Sequence, residues 1–156
     1  MVKKRILVTG GAGYVGTALL PRLLEAGHEV TVFDNLMQGG NQLLSFFRNK
    51  NFHFVNGDVT IKGDLETAVK EKDIIIHLAA IVGFPACKNN PELATSVNVG
   101  GTQNLIDVTT PEQVIFYGST GSNYGKVTDI CTEESPLNPL SLYGETKTQA
   151  EHMLMA

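Results

Sequence analysis

A chain of 156 residues that is 42% hydrophobic and 18% charged is long enough to bury a core and too apolar to remain disordered. Its formal charge of -4 excludes the basic footprint expected of a nucleic-acid or anionic-membrane binder. The two cysteines, Cys87 and Cys131, form no CxxC pair and no disulfide framework, so a reducing, cytoplasmic setting is expected.

Taken in chain order, short apolar runs alternate with helical patterns. Lys3, Lys4 and Arg5 resemble the basic end of a signal peptide, but the apolar run behind them ends at Thr9-Gly10 and is too short. Residues 6–8 are the first predicted strand. Residues 13–25 form a helix with Leu20 and Leu24 inward, bent or tightly packed at Pro21 and stopped by Gly27. The second strand, 29–33, closes at Asp34. A loop and short helix fill 39–49, and the third strand, 52–55, closes at Gly57-Asp58. A short helix at 64–70 precedes the fourth strand, 74–78. That strand is continuously apolar, as expected where both faces of a parallel sheet are covered. The apolar stretch containing it is too short to span a bilayer. A long helix at 91–109, a fifth strand at 114–117 and a helix opening at Leu142 complete the chain.

Strands separated by helices make right-handed crossovers, so the expected fold is α/β with a doubly wound parallel sheet. Ligands of such sheets sit beyond the carboxyl ends of the strands. Four candidate positions fall there: residues 10–16, Asp34, Asp58 and the pair Ser119-Thr120.

The stretch 10–16 reads GGAGYVG directly between a predicted strand and a predicted helix. Gly10 and Gly11 allow a sharp turn. Gly13 lets a pyrophosphate approach bare backbone at a helix start, and Gly16 allows close packing of that helix on the first strand. Asp34, closing the second strand, is placed to accept hydrogen bonds from both ribose hydroxyls of an adenosine and to repel a 2′-phosphate. The cofactor expected from this pair is NAD rather than NADP. Asp58 either faces the adenine amino group or caps the next turn.

Tyr143 and Lys147 lie four apart and share a helix face. A tyrosine ordinarily ionises near pH 10. Bringing it to about 7 takes on the order of 4 kcal/mol, which a nearby ammonium and an oxidised nicotinamide can supply in a partly dry site. A hydroxyl from the loop after the fifth strand would complete the group. Thr120 is the first choice, and Ser119 the second by a single position.

The segments VTGGAGYVG, FDNLMQGG, NGDV, IIIHLAA, NVGGTQNLI, YGSTGSNYG, SLYGETK and QAEHM occur in the order seen in one family and cover essentially the whole chain. The sequence resembles the extended short-chain dehydrogenase/reductase family, in its NAD-dependent nucleotide-sugar epimerase/dehydratase branch. The resemblance implies a Rossmann fold with Gly10, Gly13, Tyr14 and Val15 at the pyrophosphate. It implies Asp34, Asn35 and Gly39 at the adenosine ribose, and Asp58 and Val59 at the adenine. Leu78, Ala79 and Ala80 would line the middle of the cofactor, with Asn98 in support. Tyr143 would be the base, Lys147 would hold the nicotinamide ribose, and Thr120 would be the hydroxyl partner. Ser119, Tyr143 and Lys147 would also touch the cofactor.

In this branch a sugar hydroxyl is oxidised to a transient keto-sugar, which an epimerase reduces from its other face. The related 4,6-dehydratases carry an Asp-Glu pair just after the threonine. Gly121 and Ser122 stand there in this chain, which disfavours dehydration. The implied function is 4-epimerisation of a UDP-sugar, with a nucleotide sugar as ligand and a second copy of the chain as a candidate partner. A plain NAD-dependent dehydrogenase or reductase and a non-catalytic dinucleotide sensor are the competing readings. Family members continue past the Tyr-x-x-x-Lys helix, so residues 1–156 are expected to be a dinucleotide-binding domain without its last strands or the smaller substrate domain. The four histidines show no metal-ligand spacing, and His77 is expected to be a hydrogen-bonded core residue.

Overall fold

The computed structural model describes residues 2–128 and 130–156. Five strands, β1 (Arg5–Thr9), β2 (Glu29–Asp34), β3 (Phe52–Asn56), β4 (Ile74–His77) and β5 (Val114–Tyr117), form one parallel sheet in the order β3-β2-β1-β4-β5. The order reverses beside β1, between β2 and β4, and that reversal opens a crevice at the carboxyl edge. Thr9 is in register with Phe33 and with His77, and His77 with Tyr117, so the strand ends share one edge.

Side-chain alternation divides the core in two. Ile6, Val8, Val30 and Val32 meet Leu20 and Leu24 of α1 (Tyr14–Glu25) on one face. Leu7, Phe33 and Ile75 meet Leu65 of α2 (Lys62–Ala68) and Leu105 of α5 (Gly101–Val108) on the other. These strand side chains are fully or almost fully removed from water, each contributing about 1.5–3 kcal/mol of transfer free energy.

Several predicted boundaries move. Gly13 is extended and caps α1 rather than opening it, and α1 runs unbroken through Pro21. Residues 39–49 contain a 3₁₀ helix, Asn41–Arg48. α2 begins at Lys62, two residues before the predicted start. The predicted long helix at 91–109 exists but is not uniform. Asn90 caps α4 (Pro91–Thr95) by accepting from Leu93 N at 3.1 Å, and Pro91 occupies the first turn. A π turn, Ser96–Gly100, then leads into α5. A short helix absent from the sequence reading, α3 (Phe84–Asn89), follows Gly83, whose φ is +88°. A 3₁₀ turn, Gly121–Tyr124, and α6 (Leu142–Met155) close the described structure.

Candidate active site

A cleft of about 930 Å³ opens at the carboxyl edge. It brings together all the residues predicted for the site except Asn98 and Thr120. Its floor is the β1–α1 turn. Gly10 has φ +67°, and a Cβ there would stand 2.6 Å from Ala79 N. A Cβ on Gly16 would overlap the carbonyl of Gly11, so that glycine seats α1 on the turn itself rather than on β1. No side chain caps α1 and no acidic residue stands in its first turn. The first main-chain bond into the helix runs from Thr17 N to Gly13 O, at 3.0 Å. The earlier amides, including those of Tyr14 and Val15, are left for an anion by helix geometry. This bare helix start fits a dinucleotide pyrophosphate.

Asp34 does more than the sequence predicts. Its two carboxylate oxygens accept from Ala12 N at 3.0 Å and Leu36 N at 2.8 Å. The glycine turn is thereby tied to the end of β2. Gln42, unnoticed in the sequence, adds to this by donating to Ala12 O and, at 3.3 Å, to Gly39 O. Asp58 accepts from Thr60 N, Thr60 Oγ1 and Asn35 Nδ2 at 2.8–2.9 Å. Partial burial opposes its charge, but these donors outweigh burial and hold its carboxyl below the ordinary range. Both sequence readings of Asp58 coexist here: it caps the turn and also lines the cleft.

His77 is 1% exposed and lies in a closed chain of hydrogen bonds. Thr102 Oγ1 donates to Asn98 O at 2.7 Å and so accepts from His77 Nε2 at 3.1 Å. That fixes the neutral Nε2–H tautomer, and Thr9 Oγ1 donates to Nδ1 at 2.6 Å while accepting from Ala79 N. Burial first, then the charge of Lys147, pushes the folded pKa of His77 down to about 3. The unfolded chain takes up this proton near pH 6.5. The contribution is therefore complete above about pH 6.5 and lost as pH falls towards 3, at up to about 1.4 kcal/mol per pH unit. His77→Gln is expected to flatten the fall in stability between about pH 7 and 5, measured by urea denaturation. Parallel curves for the two proteins would refute this.

Asn98 sits in the π turn, 2% exposed and away from the cleft lining. Its amide bonds both backbone groups of Ile81 and donates to Thr146 Oγ1 at 3.0 Å. Thr146 in turn donates to the carbonyl of Tyr143. Asn98 thus joins the loop after β4 to the helix bearing Tyr143, a role of support, as the resemblance implied.

α6 starts at Ser141, whose hydroxyl accepts from Gly144 N at 3.1 Å. Tyr143 and Lys147 both line the cleft. The Lys147 ammonium stands 3.9 Å from the Tyr117 ring centroid and makes no ion pair among the described residues. Burial lowers its pKa to about 8, against an opposing pull from Glu151. Burial, with the charges of Glu151 and Tyr143, raises that of Tyr117. Ser119 lines the cleft, whereas Thr120 Oγ1 accepts from Ser122 N at 3.2 Å and caps the 3₁₀ turn. Spacing in the sequence does not distinguish these two placements.

A parallel sheet of this strand order, with a bare glycine turn before the first helix and a carboxylate ending the second strand, defines a dinucleotide-binding α/β domain. Residues 6–156 match the NAD dependent epimerase/dehydratase family, and the chain belongs to that family. It is 35% identical over 159 residues to UDP-glucose 4-epimerase 3 of Oryza sativa subsp. japonica, covering 94% of this chain and 43% of that one. It is 34% identical over 162 residues to UDP-glucuronic acid decarboxylase 1 of Danio rerio, covering 99% of this chain and 38% of that one. The Thermus thermophilus UDP-glucose 4-epimerase, crystallised with NAD, superposes with a TM-score of 0.87 at 33% identity, over 97% of this chain and 50% of that one. The chain thus spans half or less of the length of these relatives. Among the described residues no helix is long and apolar enough to cross a membrane, and no group of three or more side chains is arranged to hold a metal ion.

Proposed function

We propose that this chain is the NAD-binding and proton-transfer part of a nucleotide-sugar epimerase that inverts a UDP-sugar at C4. The observation that carries this reading is the convergence of Tyr143 and Lys147 on the cleft that also holds the bare helix start and Asp34. A dinucleotide sensor needs the second pair and has no use for the first. Gly10, Gly13, Tyr14 and Val15 receive the pyrophosphate, and Asp34, Asn35 and Gly39 the adenosine ribose. Asp58 and Val59 border the adenine. When bound, NAD supplies the acceptor for the hydride leaving the sugar carbon.

The remaining steps belong to the chain. Tyr143 takes the proton of the sugar hydroxyl and later returns it. Lys147 stands one turn away in a dry setting, where its positive charge lowers the cost of a phenolate. The Thr120 hydroxyl, with Ser119 beside it, steadies the same oxygen. Gly121 and Ser122 offer no acid or base for loss of water, which sets epimerisation above dehydration.

Asp34→Ala is expected to weaken NAD binding by about 10- to 100-fold. That corresponds to the roughly 1.5–3 kcal/mol typical of hydrogen bonds to a charged group, and calorimetry measures it. The activity itself is tested by giving the full-length protein NAD with UDP-glucose, UDP-galactose and their uronic and acetylated relatives. Interconversion of 4-epimers without net NADH supports the proposal. Stoichiometric NADH would mark a dehydrogenase, and no interconversion of any sugar would reject epimerisation.

A further inference from the structure

We propose that Glu151 is a positioning residue of this site, binding the loop after β5 to the helix of Tyr143 and Lys147 and placing a negative charge one turn from the lysine. The proposal rests on the catalytic reading above. Tyr143, Lys147 and Glu151 recur every four residues and share one face of α6. Glu151 Oε2 accepts a short hydrogen bond from Ser119 Oγ and a second, at 3.0 Å, from Asn123 Nδ2. Asn123 Nδ2 also donates to Ser119 Oγ at 3.0 Å, which closes a triangle of three side chains.

The triangle holds what the chemistry needs held. Ser119 lines the cleft, and Thr120 follows it in the chain. Asn123 is 3% exposed, its backbone amide donates to Thr120 O at 3.3 Å, and its backbone carbonyl accepts from Asn138 N at 2.8 Å. The turn carrying both hydroxyls is thereby fixed to the helix carrying the base. An ionised carboxylate suits this place because it accepts from both donors at once.

The same carboxylate acts on Lys147 through its charge. The titratable groups around that ammonium are His77 on β4, Tyr117 on β5, and Tyr143 and Glu151 on its own helix. Cys87, on the packed α3, gives its thiol to Ile81 O. His77 is neutral at ordinary pH, so Glu151 is the negative group that keeps Lys147 protonated against burial.

Substitution separates reach from charge. Glu151→Gln keeps the acceptor and removes the charge, Glu151→Asp keeps the charge and shortens the reach, and Glu151→Ala removes both. The Lys147 titration, followed by NMR of its 13Cε, is expected to move to lower pH by about 0.5 to 1 in the Gln and Ala variants and to stay in place in Asp. The alkaline limb of kcat/KM in the full-length protein should move with it. The Asp and Ala variants should also lose about 10- to 100-fold in kcat below that limb, through misplacement of the loop hydroxyls. A Glu151→Gln protein whose Lys147 titrates as in the wild type overturns the proposal. If Ala fails to fold, Gln and Asp still decide it. Because the NMR titration needs no turnover, a moved titration in a protein inert to every sugar would sink the catalytic reading and leave the action of Glu151 on Lys147 standing.

Discussion

Tyr143→Phe is expected to reduce turnover of a UDP-sugar by the full-length protein about 10²- to 10⁴-fold, the range of a positioned general base. NAD affinity should stay within about threefold, a difference near 0.6 kcal/mol. The asymmetry follows from position. Tyr143 lines the cleft on α6, while the dinucleotide is held chiefly by the β1–α1 turn and the end of β2. The helix itself is anchored by Ser141 at its start and by Thr146 to Asn98, so loss of one hydroxyl leaves its backbone in place. Single-turnover spectroscopy of NADH formation is the decisive measurement. A Phe variant that still reduces NAD at the wild-type rate removes Tyr143 from the chemistry, and one that loses NAD binding makes it a cofactor contact instead.

Gly10→Ala should damage the fold and the site together. At φ +67° an L-residue costs about 1–2 kcal/mol, and crowding against the Ala79 backbone adds about 1–3, giving a loss of about 2–5 kcal/mol. The carbonyl of Gly10 accepts from Gly13 N at 3.0 Å, and its amide donates to Phe33 O at 2.9 Å. Any shift is therefore passed to the start of α1, and NAD affinity should fall by at least about tenfold. Gly27→Ala is the control. Gly27 has φ +83° with nothing within 4 Å of a Cβ, so it carries the conformational cost without the crowding. Urea denaturation should find Gly10→Ala the more destabilised of the two, and calorimetry should find NAD binding affected only at Gly10. Equal losses at both positions would contradict the crowding argument.

The strands were legible because each is a short apolar run closed by Gly, Asp or His, and burial on both sheet faces makes such runs continuous. The glycine turn was legible because its position between strand and helix gives the pattern meaning. α3 was not, since six residues framed by Gly83 and Asn90 carry too little periodicity to mark a helix. The π turn was invisible for another reason: one extra residue in a turn changes the path of the backbone and leaves composition untouched. Partners distant in sequence were also out of reach. Asp34 with Ala12, Asn98 with Thr146 and Glu151 with Ser119 are 22, 48 and 32 residues apart, and each pairing exists only once the sheet has formed.

The wide turn at Ser96–Gly100 makes this helix unforgiving of changes in chain length. A regular α-helix advances about 100° per residue, so deleting one residue there would rotate everything downstream by that angle relative to Asn98. Thr102 would leave His77, and Leu105 would leave its place against the sheet. Homologous chains that gain or lose residues between β4 and β5 should accommodate them before Asn90 or after Thr109, at the helix margins, and keep the count between Asn98 and Leu105 intact.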